Sequence, residues 1–147
     1  GAIPSSNSVA MLNLLRLGRL SGDPELENLA AQLAHRFSGD VGSHPPGYTF
    51  MLCALDFSFG PSQEIVIVGD PQAQDTKTMT DILRSEFIPN SVWLQVSIAE
   101  TKPQISQIAS FTADLKSLGG KATAYVCTNF ACNNPTTDPQ KMLDLLK

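Results

Sequence analysis

The sequence predicts an α/β fold with a three-stranded, mostly parallel sheet and crossover helices. Its central evidence is the stretch 64–70, where four consecutive β-branched residues are followed by Gly69 and Asp70. Such a run is typical of a strand buried on both faces that ends in a tight turn. Two further apolar runs, Val92–Ile98 and Ala122–Cys127, are separated by segments with helical spacing. This alternation is typical of β-α-β units.

Two to three helices are predicted before the sheet. Val9–Leu20 has apolar residues around nearly its whole circumference, which predicts a buried helix or the inner member of a helical layer. Asp23 and Pro24 begin a second helix in the favoured order of cap and first residue. Gly39–Gly47 is predicted to be a loop, and Tyr48–Phe59 a very apolar third helix.

Two helices are predicted between the strands. Asp75 is expected to cap the first, whose inward residues would be Met79, Ile82, Leu83 and Phe87. The second has helical spacing from Ile105 to Leu118 and a glycine pair as its C-terminal stop. Asp138 and Pro139 begin a last short helix. We therefore expect a helical domain at residues 1–60 and a small α/β domain at residues 61–147, which contains a C-x4-C loop.

Composition narrows the classes of partner. Ten basic and 14 acidic residues give a formal net charge of −4, with no basic cluster, so we expect no nucleic-acid partner. No apolar run approaches the roughly 18 residues that a membrane span needs, so no membrane is expected as a partner either. Three cysteines are too few for a disulfide framework, which favours a reducing, cytoplasmic location. The chain begins without Met, and we expect it to be a piece of a longer protein.

Cys127 and Cys132 are the first candidate site. Two cysteines separated by four residues at a strand end could be partly buried and fix a loop, form a reversible disulfide, or bind a metal. A structural zinc site needs four ligands and the second pair is missing, while a thioredoxin-type pair has two intervening residues. Two partly buried cysteines that fix a loop are the favoured interpretation, a reversible disulfide with a redox role is the alternative, and no metal is expected.

A second candidate site is a ligand pocket formed by Ser5, Ser6, Asn7, His44 and Asp70. The Ser-Asn run could offer hydroxyls, an amide and free backbone N–H groups to an anionic or polyhydroxylated ligand, although helix capping explains the same residues. Asp70 follows a buried strand, where ligands bind in open α/β sheets, but a lone acid there is more often a turn former. No phosphate-binding loop and no Ser-His-Asp triad can be assembled.

Several blocks of sequence resemble one family. They are Pro4–Ala10, Asn13–Leu17, Ile65–Asp70, Tyr125–Cys132 and Pro135–Pro139. Together they resemble the C-terminal end of the YyaL-type thioredoxin-domain-containing proteins, which include a spermatogenesis-associated animal member. The resemblance covers essentially the whole chain.

The resemblance implies a larger parent with a thioredoxin-like domain and an α/α toroid similar to six-hairpin glycosidases. Residues 5–59 would be the last toroid helices, and the thioredoxin-like domain would lie outside this chain. The family's activity is poorly defined, so a context is implied and a reaction is not.

Three functions follow as hypotheses. The favoured one is a non-catalytic C-terminal module of the larger protein, inactive by itself and without a cofactor. Its partner would be the remainder of the parent, or a second copy through self-association, because free apolar helical surface tends to be buried. The alternatives are part of a carbohydrate-binding or sugar-processing pocket, and a thiol redox role of Cys127 and Cys132.

Overall fold

The computed structural model describes residues 3–100 and 103–147 and divides the chain into two compact units, residues 1–62 and 63–147. The first unit is built of helices, and the second of a sheet with helices on it. In these two described stretches, no helix combines the length and apolar character that a membrane span requires.

The helical unit begins with two long helices in a hairpin. The first, α1, is Ser6–Ser21, and the second, α2, is Pro24–Ser43. Ser5 caps α1 by accepting a hydrogen bond from the Ser8 N–H, and Asp23 caps α2 by accepting from the Glu25 N–H. Because only two residues join them, the helices run antiparallel. A 3-10 helix at Pro45–Tyr48 then leads into α3, Thr49–Phe59.

Helix α1 is the inner member of this layer, as its sequence predicts, because it packs against both α2 and α3. Its buried residues include Met11, Leu12 and Leu15. An ion pair of 3.1 Å between Arg19 Nε and Glu27 Oε1 adds a polar link between α1 and α2. Burial is not complete around the helix, however, since Leu17 is 53% exposed. The predicted apolar circumference is therefore only partly covered.

The predicted loop at 39–47 is wrong over its first half, because α2 continues to Ser43. Two glycines in a helix cost about 1 kcal/mol each relative to alanine. Val41, which lies between them, is buried, and its packing offsets part of that cost. The glycine-rich composition thus predicted that α2 ends before Gly39, whereas packing of Val41 favours a helix that continues to Ser43.

The α/β unit contains four strands and three α-helices within residues 63–100 and 103–147. The strands are β1 Gln63–Gly69, β2 Ser91–Ser97, β3 Thr123–Thr128 and β4 Ala131–Cys132. The helices are α4 Gln74–Ser85, α5 Ile105–Ile108 and α6 Pro139–Asp144, with a 3-10 helix at Ser110–Asp114. The strand order is β2-β1-β3-β4.

The sheet differs from the predicted three-stranded, mostly parallel one. Strands β1 and β2 pair in parallel and α4 is their crossover helix, as expected. Strand β3 pairs antiparallel with β1, and β4 pairs antiparallel with β3. The hydrophobic pattern of a strand indicates which residues are buried but not the direction of the strand. It therefore could not distinguish a parallel from an antiparallel pairing of β3 with β1.

The long helix predicted from Ile105 to Leu118 is also wrong. The α-helical part ends at Ile108, a 3-10 helix follows at Ser110–Asp114, and the chain is extended from Leu115, where φ is −75° and ψ is 134°. Gly119 and Gly120 both have positive φ and form a turn closed by a bridge between Leu118 and Lys121. The glycine pair therefore reverses the chain immediately before β3.

Alternate residues of β1 pack on opposite faces of the sheet. Ile65 and Ile67 join a core with residues of α4, β3 and α6, including Met79 and Met142. Val66 and Val68 pack on the other face with Val96 of β2 and with partly buried residues of the 105–115 segment. Phe87, predicted to face inward, lies beyond the end of α4 and is 89% exposed.

Truncating the central strand should destabilise the α/β unit strongly. Ile67 is fully buried in the core against which Trp93 packs. We expect Ile67→Ala to lower the free energy of unfolding by about 3 kcal/mol, through lost burial and the cavity left behind. The measurement is urea denaturation followed by fluorescence of Trp93, the only tryptophan. Ile108→Ala, at a residue 70% exposed, is the control and should change it by less than about 0.5 kcal/mol.

Candidate functional site

The cysteine hairpin is the most distinctive polar feature of the α/β unit. Cys127 on β3 and Cys132 on β4 are register partners and are joined by a disulfide. The favoured interpretation, two partly buried cysteines that fix a loop, did not include this covalent bond, whereas the disulfide alternative did. Sequence spacing could not decide this, because the pairing depends on the antiparallel strand β4, which was not predicted.

The turn between the cysteines has an unusual backbone. Asn129 and Phe130 have φ of 49° and 65°, as a two-residue hairpin turn of type I′ requires. Asn tolerates this conformation, whereas a bulky aromatic residue seldom adopts it. Phe130 is also 54% exposed, so its ring gains little from burial in return.

Glu64 holds this turn against the sheet. Its side chain is on β1 directly opposite Cys127, and its Oε2 atom accepts a hydrogen bond of 2.9 Å from the Phe130 N–H. Glu64 is only 5% exposed. Sequence reasoning missed it as a site residue. The strand pattern could have identified it, because side chains two residues apart on a strand point to the same face. Glu64 therefore points to the same face as the buried Val66 and Val68.

The disulfide itself adds limited stability. Its cysteines are five residues apart in sequence. In the chain-entropy account a loop this short contributes about 2 kcal/mol, near the low end for disulfides. Backbone pairing and the Glu64 contact hold the same hairpin without the covalent bond.

Asp70 and Asp75 both act within the βα connection that follows β1. The Asp70 carboxylate accepts a hydrogen bond of 2.9 Å from the Gln72 N–H, which is the turn-forming role that competed with ligand binding. Asp75 is not the N-cap, since that position is Ala73. Its Oδ1 accepts from the Thr76 N–H at 2.9 Å and its Oδ2 from the Ala122 N–H at 2.7 Å. Asp75 therefore links the start of α4 to the start of β3.

This link affects the titration of Asp75. The backbone N–H of Ala122 stabilises the ionised carboxylate and lowers the pKa of Asp75 below its ordinary value of 3.8. Desolvation acts in the opposite direction, and the Thr76 N–H and the charge of Lys121 add to the lowering.

A cavity of about 340 Å³ lies in the helical unit beside the first turns of α1 and α3. Its wall combines hydroxyl groups with aromatic and aliphatic side chains, from Ile3, Pro4, Ser5, Ser8, Tyr48, Thr49, Phe50 and Cys53. The Ser5 and Ser8 hydroxyls are 2.8 Å apart and share a hydrogen bond. Both belong to the capping arrangement of α1, and Ser8 is 2% exposed.

The structure brings only part of the predicted pocket together. Ser5 lines the cavity, whereas Ser6 and Asn7 are exposed on the first turn of α1 and do not. His44 is the C-cap of α2, and its imidazole lies against Gly47, which does line the cavity. Asp70 belongs to the α/β unit.

A second cavity, of about 360 Å³, lies at the carboxyl end of β2. It is lined by Gln95, Ser97, Glu100, Pro103, Gln104 and Ile105. The side chains offer amide and hydroxyl groups with a single carboxylate. Among the residues that the structure describes, no group of three or more His, Cys, Asp and Glu side chains is placed to hold a metal ion.

The chain is similar to part of several larger proteins. It is 38% identical over 148 residues to spermatogenesis-associated protein 20 of Homo sapiens, and 34% identical over the same length to that of Mus musculus. An uncharacterized protein of Caenorhabditis elegans is 27% identical over 145 residues. Each alignment covers 99% of this chain. No protein-family model and no solved structure matches it.

The chain spans less than a fifth of the length of these curated relatives, namely 18% of the two mammalian proteins and 19% of the nematode one. The homologues are thus much larger proteins. Their similarity extends through both units of this chain, because almost every residue of it is aligned.

Removing the Asp75 charge should make the α/β unit less stable at neutral pH. Asp75→Asn can keep only one of the two accepted hydrogen bonds, and because the residue is exposed and screened by solvent we expect it to lose only about 0.5 kcal/mol of unfolding free energy at pH 7. Because the folded pKa is lowered, the stabilisation is complete above pH 3.8 and is lost as pH falls through the folded value. Urea denaturation at several pH values measures the difference.

The wild-type and Asp75→Asn proteins should therefore converge in stability only below pH 3.8. Asp81→Asn, at an exposed position of the same helix, is the matched control and should differ little from wild type. A difference for Asp75→Asn that is the same at every pH would contradict a charge-dependent link.

Proposed function

We propose that this chain is a non-catalytic module of a larger protein and that it acts by docking on the remainder of that protein through its helical unit. The size of the relatives supports this, because the chain matches only 18% of the mammalian proteins. A segment that makes up so small a part of a larger protein would contact its other parts. An exposed apolar surface on the segment is the surface that such a contact would bury.

An apolar stripe on α3 is the observation that carries the proposal. Leu52 and Phe59 are seven residues apart, two helical turns, and so lie on one face, with the exposed Asp56 between them. They are 38% and 82% exposed. On the neighbouring helix α1, Val9 and Leu17 are 36% and 53% exposed.

The resemblance to YyaL-type proteins suggests what the remainder is. In that family we expect a thioredoxin-like domain and an α/α toroid, with residues 1–60 as the last toroid helices and residues 61–147 as a C-terminal α/β segment. The parent would be cytoplasmic. The exposed apolar residues of α1 and α3 would then pack on preceding toroid helices, which accounts for the excess of apolar helical surface in this chain.

The cavity of the helical unit supports a second candidate function, a part of a carbohydrate-binding pocket. Hydroxyl groups of Ser5 and Thr49 lie with the rings of Tyr48 and Phe50 around about 340 Å³. Aromatic faces with a few polar groups suit a polyhydroxylated ring, since they contact its C–H and O–H groups respectively. The pocket would be completed by other parts of the parent.

A charge on the α3 stripe should prevent docking. The test expresses this chain and the remainder of the parent as separate polypeptides, with the affinity tag on the remainder. We expect the wild-type chain to bind at one-to-one stoichiometry in native mass spectrometry. Phe59→Glu should weaken binding about tenfold or more, because a carboxylate would be buried at an apolar contact.

Ser58→Glu is the matched control, since it introduces the same charge at the adjacent exposed position of α3. It should bind like wild type. Equal losses for both variants, or no association of the wild-type chain, would contradict docking through this stripe.

The sugar-pocket candidate predicts a different effect. With the chain assembled on the remainder of the parent, Tyr48→Ala should reduce binding of glucose, mannose or N-acetylglucosamine about tenfold, through loss of the ring and its hydroxyl. Ligand-observed NMR measures this. Asn7→Ala, at an exposed residue outside the cavity wall, should leave binding unchanged. Absence of binding by the wild-type assembly to all three sugars would exclude the candidate as stated.

A further inference from the structure

We propose that Cys127–Cys132 is a redox-active disulfide that exchanges reversibly with an external dithiol, and that Glu64 is the positioning residue that keeps the two sulfurs together in the reduced state. This is independent of docking through α3, because it concerns only residues of the α/β unit. The ligand class is a protein or small molecule that carries two thiols.

The disulfide is accessible at one end. Cys132 is exposed, and it lies on β4, which is the last strand in the order β2-β1-β3-β4 and thus an edge of the sheet. Cys127 is half-buried on the inner strand β3. An incoming thiolate can therefore approach Cys132 more easily than Cys127. Phe130, two residues before Cys132 in the turn, is exposed and offers an apolar contact to the approaching molecule.

The hairpin keeps its shape without the covalent bond. Glu64 accepts the Phe130 N–H inside the turn. After β4, the Val126 carbonyl accepts from the Asn133 backbone N–H at 2.9 Å and from the Asn133 side-chain Nδ2 at 3.2 Å. One contact thus lies in the turn between the two cysteines, and the others join the residues just before Cys127 and just after Cys132. Reduction would leave two thiols held close together, which is the condition for easy re-formation of the bond.

The exchange takes place in two thiol–disulfide steps. A thiolate of the external dithiol attacks Cys132 Sγ, a mixed disulfide forms, and Cys127 leaves as a thiolate that takes up a proton from water. The second thiolate of the dithiol then attacks its own partner sulfur and releases the Cys132 thiolate, which is also protonated. The protein disulfide gains two electrons, and the external dithiol is oxidised to a disulfide by the same two electrons.

The first test is equilibration with glutathione, a thiol whose pool reduces labile disulfides but not typical structural ones. The full chain carries Cys53→Ser, because Cys53 is an exposed free cysteine that would otherwise react. After incubation over graded ratios of reduced to oxidised glutathione, free thiols are alkylated and counted by intact mass. We expect one two-electron transition within the series. A pair that stays oxidised, or stays reduced, at every ratio would overturn the proposal.

The attacked sulfur is identified with single-cysteine variants in the same background. Cys127→Ser leaves Cys132, which should form a mixed disulfide with glutathione rapidly. Cys132→Ser leaves the half-buried Cys127, which should react several times more slowly. Equal rates, or a faster Cys127, would overturn the assignment of Cys132 as the attacked atom.

The role of Glu64 is tested by the same equilibrium. Glu64→Gln keeps an oxygen that can accept the Phe130 N–H, so it should equilibrate like wild type. Glu64→Ala removes it and should lower the ratio of oxidised to reduced protein about fivefold at fixed glutathione, the factor that one net hydrogen bond supplies. Glu86→Ala, at an exposed position of the same unit, is the control. Unchanged equilibrium in Glu64→Ala would overturn the positioning role.

Discussion

The α/β unit depends on the burial of one strand, β1, on all four of its sides. Its two edges are hydrogen-bonded to β2 and β3, and its two faces pack into separate cores. Burying four β-branched side chains removes enough apolar area to contribute several kcal/mol, which is comparable with the net stability of a small domain. The other elements of the unit cover this strand: β2 and β3 pair with its edges, α4 and α6 pack on one face, and the 105–115 segment packs on the other.

Both ends of β1 fix the polar features that matter for function. At its start, Glu64 ties down the turn of the cysteine hairpin. At its end, Gly69 leaves no room for a side chain, because a Cβ atom there would overlap the Thr76 hydroxyl and approach Ala122 closely. That close packing brings Asp75 within reach of the Ala122 N–H. The candidate redox site and the α4–β3 link are thus consequences of the same buried strand.

Sequence patterning predicted the elements whose signal is local. The β1 run, the parallel β1–β2 pair with its crossover helix, and the start of α2 follow from apolar spacing and caps, whereas α1 begins at Ser6, three residues before the predicted Val9. Sequence patterning gave wrong predictions where contacts between residues far apart in sequence determine the structure. Val41 extends α2 past two glycines, and Gly119–Gly120 turns the chain instead of ending a long helix. The site was predicted least well, because the disulfide and Glu64 depend on the pairing of β3 with β1 and with β4.

In the proposed function, the exposed apolar residues of α1 and α3 are covered by the remainder of a larger protein. Hydrogen–deuterium exchange, measured on the isolated chain and on the full-length parent, tests it most directly. We expect much slower amide exchange in α3 (Thr49–Phe59) and in α1 within the parent, while β1 is equally protected in both. Identical exchange of α1 and α3 in the two samples would contradict it.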